Sequence, residues 1–188
     1  MRKLIKSVIF IGFIAILIYG GMNGYDNLMC YLYPQKYSEY VERYAKEFDV
    51  PETLVFAVIS CESSFDATAQ SDAGAKGLMQ MLDSAFDWAK SRYKGDKTDD
   101  IDIADEQTNI KYGTYILSLH YKDFGGWKET LAAYHAGAGN VKAWLNNPEY
   151  STDRKTITKF PEKCSDTETY VNKVLKTQEI YKKLYYTE

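Results

Sequence analysis

From Tyr37 onward, apolar side chains return at steps of three and four residues, and strand-like alternation persists nowhere. That spacing stacks side chains on one face of an α-helix, so the pattern calls for a helical domain. Tyr37, Tyr40, Val41, Tyr44, Ala45 and Phe48 form the first such face, with Ser38 placed as its N-cap. Asp49-Val50-Pro51 restarts the chain, because proline suits a first helical turn. Leu54, Val55, Val58, Ile59 and Glu62 follow on the next helix. A loop rich in Ser, Ala, Asp and Gly then runs from Ser63 to about Gly77. Helical pattern resumes over Leu78–Arg92 and breaks at the polar Lys94-Gly95-Asp96-Lys97. Glu106–Tyr121 reads as a helix with Ile110, Tyr115, Leu117 and Leu119 available for burial. Another is predicted from Trp127 to His135, stopping at Gly137, and a short one around Val141–Leu145. An irregular stretch with Pro148 and Pro161 leads to a last helix, about Thr167 to Tyr186, burying Tyr170, Val171, Val174, Tyr181 and Leu184. The expected architecture is one compact all-α domain without internal repeats.

The N-terminus reads differently. Arg2, Lys3 and Lys6 precede an uncharged apolar run from Val8 to Met22. Positive charge before such a run holds the N-terminus in the cytoplasm and sends the remainder outward. The run is short against the roughly 20 residues of a spanning helix, though Leu4, Ile5 and a snorkelling Lys6 extend it. A cleaved signal peptide is the rival reading. No A-x-A site follows, Ile18-Tyr19-Gly20 is a weak substitute, and Asn27-Leu28-Met29 before Cys30 lacks the small residue of a lipoprotein site. The expected organisation is an anchor over 1–22, a linker over 23–36 interrupted by Gly24, Asp26, Asn27 and Pro34, and a globular domain over 37–188.

Composition narrows the partners. A net charge of -3, with no Lys/Arg block beyond the N-terminus, argues against nucleic acid. The scattered Cys30, Cys61 and Cys164 do not make a disulfide framework, and His120 and His135 alone do not make a metal site. Seventeen tyrosines against three tryptophans suit either a sugar-binding groove or a tyrosine-rich core.

Val55, Val58, Ile59 and Glu62 share one face of their helix, so Glu62 projects at the last turn from the side that enters the core. Burial and the negative end of the helix dipole both disfavour its charge and should raise its pKa, as a general acid requires. An exposed glutamate at a fraying helix end fits the same spacing.

Four segments carry more. Glu62-Ser63-Ser64-Phe65, Gly74-Ala75-Lys76-Gly77-Leu78-Met79-Gln80, Ala133-Tyr134-His135-Ala136-Gly137 and Asp166-Thr167-Glu168-Thr169-Tyr170-Val171-Asn172-Lys173-Val174 occur in that order. Together they resemble the lytic transglycosylase catalytic domain of the soluble, goose-lysozyme-like type, from about Tyr37 to Tyr185. The resemblance implies a lysozyme-like fold and a single catalytic acid and base at Glu62. It also implies substrate contacts at Ser71, Gln80, Tyr134 and His135, and a hydrogen bond from Tyr170 near Glu62. Two positions depart: His135 stands where the family has Asn, and Asp166 where it has Glu. His135 thereby brings an acid–base group that the amide lacks.

Implied chemistry follows. Glu62 would protonate the β-1,4 oxygen between N-acetylmuramic acid and N-acetylglucosamine. It would then take the proton of the muramoyl C6 hydroxyl, closing a 1,6-anhydro ring, with no metal or cofactor. Most glycosidases instead need two carboxylates. Three alternatives stay open: a muramidase using water with Asp66 or Asp72 as second carboxylate, a non-catalytic glycan-binding anchor, and a cysteine peptidase using Cys61 and His135. A Cys61–Cys164 disulfide and two unpaired thiols are both compatible with the sequence.

Overall fold

The computed structural model describes residues 24–95 and 101–186. Among these the elements are a helix α1 over residues 24–32, α2 (Ser38–Phe48), α3 (Glu52–Ser63), α4 (Asp83–Lys90), α5 (Glu106–Phe124), α6 (Trp127–Ala136), α7 (Ala138–Asn146), a 3-10 turn (Glu162–Cys164) and α8 (Ser165–Tyr185). No strand forms among the described residues; Gln70–Lys76 and Lys76–Met81 are isolated bridge pairs in the loop before α4. The all-α expectation therefore holds for the described chain.

α3 is the axle of the domain. Pro51 enters it in an extended conformation and Glu52 places negative charge at its positive end. Thr53 to Ile59 are buried without a break, so this helix is enclosed on all sides rather than amphipathic. Each buried Leu54, Val55, Phe56, Val58 or Ile59 contributes about 1.5–3 kcal/mol of transfer free energy. α3 packs against α2 and α8, α8 against α6, and α5 against α2, α4 and α6. A second, smaller core of Met81, Phe86, Ala89, Ile103, Tyr112 and Ile116 joins α4 to α5. Tyr134 on α6 packs against both cores, at the boundary where a groove opens.

Helix ends follow local chemistry. Asp105 caps α5 by accepting the Thr108 amide at 2.8 Å, and Gly125 ends it with a left-handed φ of 74°. Gly137, at φ 88°, separates α6 from α7.

Several boundaries differ from expectation. Tyr37 takes the cap position of α2 in a left-handed conformation without a side-chain cap, and Ser38 is the first helical residue. Leu78–Arg92 is helical only over Asp83–Lys90, for reasons that belong to the site. Tyr115, Leu119 and Leu184 are half-buried. Residues 24–32 are helical where an irregular linker is expected, and Tyr33 and Pro34 just beyond them are tied to α8. The expected anchor at 1–22 and the end of the polar loop at 96–97 lie outside the described residues. Among the described residues no helix is long and apolar enough to cross a membrane.

Candidate active site

Glu62 sits in the last turn of α3, at the floor of a groove of about 1140 Å³. α8 runs past that end, and the Tyr170 hydroxyl donates to Glu62 Oε1 at 2.7 Å. One turn further on, Lys173 Nζ donates to the Cys61 carbonyl at 3.4 Å. Burial pushes the Glu62 carboxyl up to about 7, although the Tyr170 hydrogen bond and the Lys173 charge both pull it down. Tyr170 is itself buried, which raises its phenol well above the ordinary value, as does the neighbouring Glu62 charge. It therefore stays a donor.

The wall facing Glu62 is the turn from Gly77 to Met81. Gly77 (φ 75°) and Gln80 (φ 46°) are both left-handed, so no helix passes through them. A Cβ at Gly77 would lie 2.8 Å from Asn109 Cγ, so this closely packed turn requires glycine. Asn109, fully buried on α5, takes the place of helical bonds: its Oδ1 accepts the Met79 amide at 2.7 Å, and its Nδ2 donates to the Lys76 and Ile103 carbonyls at 3.0 and 2.9 Å. Ser63 Oγ closes the other side by donating to the Leu78 carbonyl at 2.9 Å. Leu78 and Met79 are thus apolar because they plug the core beneath the turn, which the spacing alone renders as a helix face.

Glu62, Ser71, Gln80, Tyr134 and His135 all line the groove, and Tyr170 lies behind them. Ser71 is exposed, and its Oγ accepts the Ala75 amide at 3.1 Å. Gln80 Nε2 donates to the Ala69 and Gly77 carbonyls, both at 3.0 Å, so the amide nitrogen braces the loop. Tyr134 donates to the Met79 carbonyl at 2.7 Å. The His135 ring stacks on Tyr170 at 4.5 Å between centroids, and its Nδ1 lies 3.2 Å from Thr167 Oγ1. Sequence reading left out Ser63, Asn109, Thr167 and Lys173 as contributors. Ser63, Thr167 and Lys173 stand inside the quoted motifs; Asn109 carries no local signal, since it acts on a turn thirty residues away.

The remaining candidates lie apart. Asp66 accepts the Thr68 amide and hydroxyl at 2.9 and 2.7 Å, which holds its carboxyl below the ordinary value. Neither Asp66 nor Asp72 lines the groove; its other lining carboxylate is Asp123, paired with Lys142 at 3.7 Å. The Cys61 thiol donates to Thr177 Oγ1 at 3.6 Å while His135 is held by Thr167, so these two do not pair. Cys30, Cys61 and Cys164 are all free thiols.

Comparison with known proteins gives one answer. A family model described as the transglycosylase SLT domain matches residues 39–157. The soluble lytic murein transglycosylase of Escherichia coli (strain K12) is 31% identical over 154 residues, covering 80% of this chain and 23% of that protein. The membrane-bound lytic murein transglycosylase C of Edwardsiella ictaluri is 33% identical over 116 residues, covering 56% of this chain and 32% of that protein. Among solved structures, the 70 kDa soluble lytic transglycosylase from Escherichia coli superposes with a TM-score of 0.67 at 28% identity, covering 80% of this chain and 24% of that one. An inactive mutant of lytic transglycosylase Slt from Pseudomonas aeruginosa gives the same TM-score, 0.67, at 26% identity and similar coverage, 80% and 24%. The chain spans about a quarter of the length of the first of these curated relatives, 23%.

Proposed function

Since the chain belongs to the transglycosylase SLT domain family, we propose that it is a peptidoglycan lytic transglycosylase with Glu62 as its acid and then its base. The observation that carries this reading is a groove carboxyl held near 7 and served by one phenol donor. Near neutral pH such a group gives up a proton and takes one back without a large penalty in either direction.

In the first half, protonated Glu62 gives its proton to the glycosidic oxygen as the bond from C1 of N-acetylmuramic acid breaks, releasing the N-acetylglucosamine hydroxyl. The oxocarbenium-like centre is stabilised by the substrate's own N-acetyl group. Glu62, now ionised, is supported by the Tyr170 hydrogen bond and the Lys173 charge. In the second half it removes the C6 hydroxyl proton while that oxygen bonds to C1. The 1,6-anhydro ring closes and Glu62 is again protonated. An intramolecular nucleophile has a high effective concentration, so no activated water is needed. Ser71 and His135 are assigned sugar contacts on the rim, and Gln80 and Tyr134 shape the wall through the Gly77–Met81 turn. No metal or cofactor enters the scheme.

A water-using muramidase needs a second carboxylate opposite the acid. Asp66 is committed to Thr68 and Asp123 to Lys142, which favours the single-carboxylate route. We assign residues 1–22 as a single-pass anchor with the N-terminus inside and residues 37–188 as the cutting domain outside, supported by Arg2, Lys3 and Lys6 before the apolar run.

The test is digestion of purified peptidoglycan and weighing of the new ends. Muropeptides one water lighter than reducing ends are expected, and Glu62→Gln is expected to abolish them while keeping the fold. Reducing ends would mean hydrolysis. Retained cleavage by Glu62→Gln would remove Glu62 from the mechanism.

A further inference from the structure

The surface of α1 carries an unassigned feature. At 100° per residue, Tyr25, Leu28 and Leu32 fall within about 60° of one another. They are 60%, 53% and 53% exposed, a contiguous apolar stripe on a short helix. Met29 is the one half-buried residue of this helix, and Cys30 is exposed. The attachment to α8 is made by the residues that follow. Tyr185 donates to the Tyr33 carbonyl at 2.8 Å, Tyr181 donates to the Pro34 carbonyl at 3.0 Å, and the Tyr33 and Tyr181 rings meet edge to face at 5.9 Å. α1 is therefore held to the domain through Tyr33 and Pro34 just beyond its end, and its Tyr25, Leu28 and Leu32 side is bare.

Two facts select what covers the bare side. The apolar run of the N-terminus ends at Met22, three residues before Tyr25. The composition of the stripe, tyrosine with leucine, is that of side chains at a membrane–water boundary. We propose that the Tyr25–Leu28–Leu32 face lies in the headgroup–acyl boundary of a lipid bilayer, and that the tyrosine contacts to α8 thereby hold the domain in one orientation on the membrane. α8 then acts as a spacer. Tyr185 is at the docked end and Tyr170, which touches Glu62, lies fifteen residues away, about 22 Å along the helix. Cutting would be confined to glycan at a fixed height above the bilayer. The docking rests on the anchored topology proposed above, not on the reaction.

Hydroxyl-radical footprinting of the full, unsubstituted chain in phosphatidylcholine–phosphatidylglycerol vesicles tests it, after flotation confirms that the chain travels with the vesicles. Tyr25 is expected to oxidise several-fold more slowly than Tyr121, which is only 37% exposed. Leu28 and Leu32 are expected to lag Leu82, 42% exposed, in the same way. Protection should persist when the chain is diluted to about one copy per vesicle. Oxidation of Tyr25, Leu28 and Leu32 at or above the rates of those references, in a chain that floats, overturns the docking and leaves the anchor intact. Protection that vanishes on dilution assigns the stripe to a second copy and also overturns it. Failure to float removes both the anchor and the docking.

Discussion

At the scale of single residues, the state of Glu62 is set by competing environments. Enclosure by the core raises its proton affinity, and Tyr170 and Lys173 return part of it. The folded chain then holds the Glu62 proton more tightly than the unfolded chain, whose carboxyl keeps the ordinary 4.5. Stability is full below that value and is lost as pH rises toward about 7, by at most about 3 kcal/mol. Glu62→Gln is accordingly expected to raise the melting temperature at pH 8 and to leave it nearly unchanged at pH 4, read by thermal denaturation. Tyr170→Phe removes a contact that favours the ionised form, so the alkaline limb of the pH–rate profile should move to higher pH. Its kcat is expected to fall roughly 10- to 100-fold, the range of one hydrogen bond to a charged group. An unmoved profile would detach Tyr170 from the acid.

At the scale of elements, the turn from Gly77 to Met81 owes its shape to a distant helix. Asn109 accepts the Met79 amide within the turn and donates to the Lys76 carbonyl at its start and to the Ile103 carbonyl ahead of α5. Asn109→Ala strands the Met79 amide and the Ile103 carbonyl, while Lys76 keeps the Met81 amide, and is expected to cost about 2–4 kcal/mol by denaturant unfolding. Activity should fall further than unfolding explains, because Gln80 and the Met79 carbonyl that receives Tyr134 shift with the turn. This element is also where periodicity misleads. Leu78, Met79, Phe86 and Ala89 are all buried, but the first two plug a turn and the last two face inward from α4. Spacing records burial, not the backbone path that achieves it. Positive φ at Gly77 and Gln80 breaks the helix, and only the glycine announces it locally.

At the scale of the whole molecule, the crossing of α3 and α8 brings Glu62 to Tyr170, 108 positions apart in the chain. The same crossing turns Cys61 toward Thr177, so the thiol donates there, forms no disulfide and is raised by burial. Reduction with excess thiol is therefore expected to leave the melting temperature unchanged; a fall would reveal a cross-link. Helix content, the position of Glu62 at a helix end and the four motifs were legible in the sequence, because spacing and neighbouring residue types are local properties. So was the charge asymmetry around the first apolar run. The Asn109 brace, the Lys173 charge beside Glu62 and the docking of Tyr33 and Pro34 on α8 were decided by the tertiary structure. Each joins groups from separate elements, and hydrogen bonds and charges act across a few ångströms of space without regard to distance along the chain.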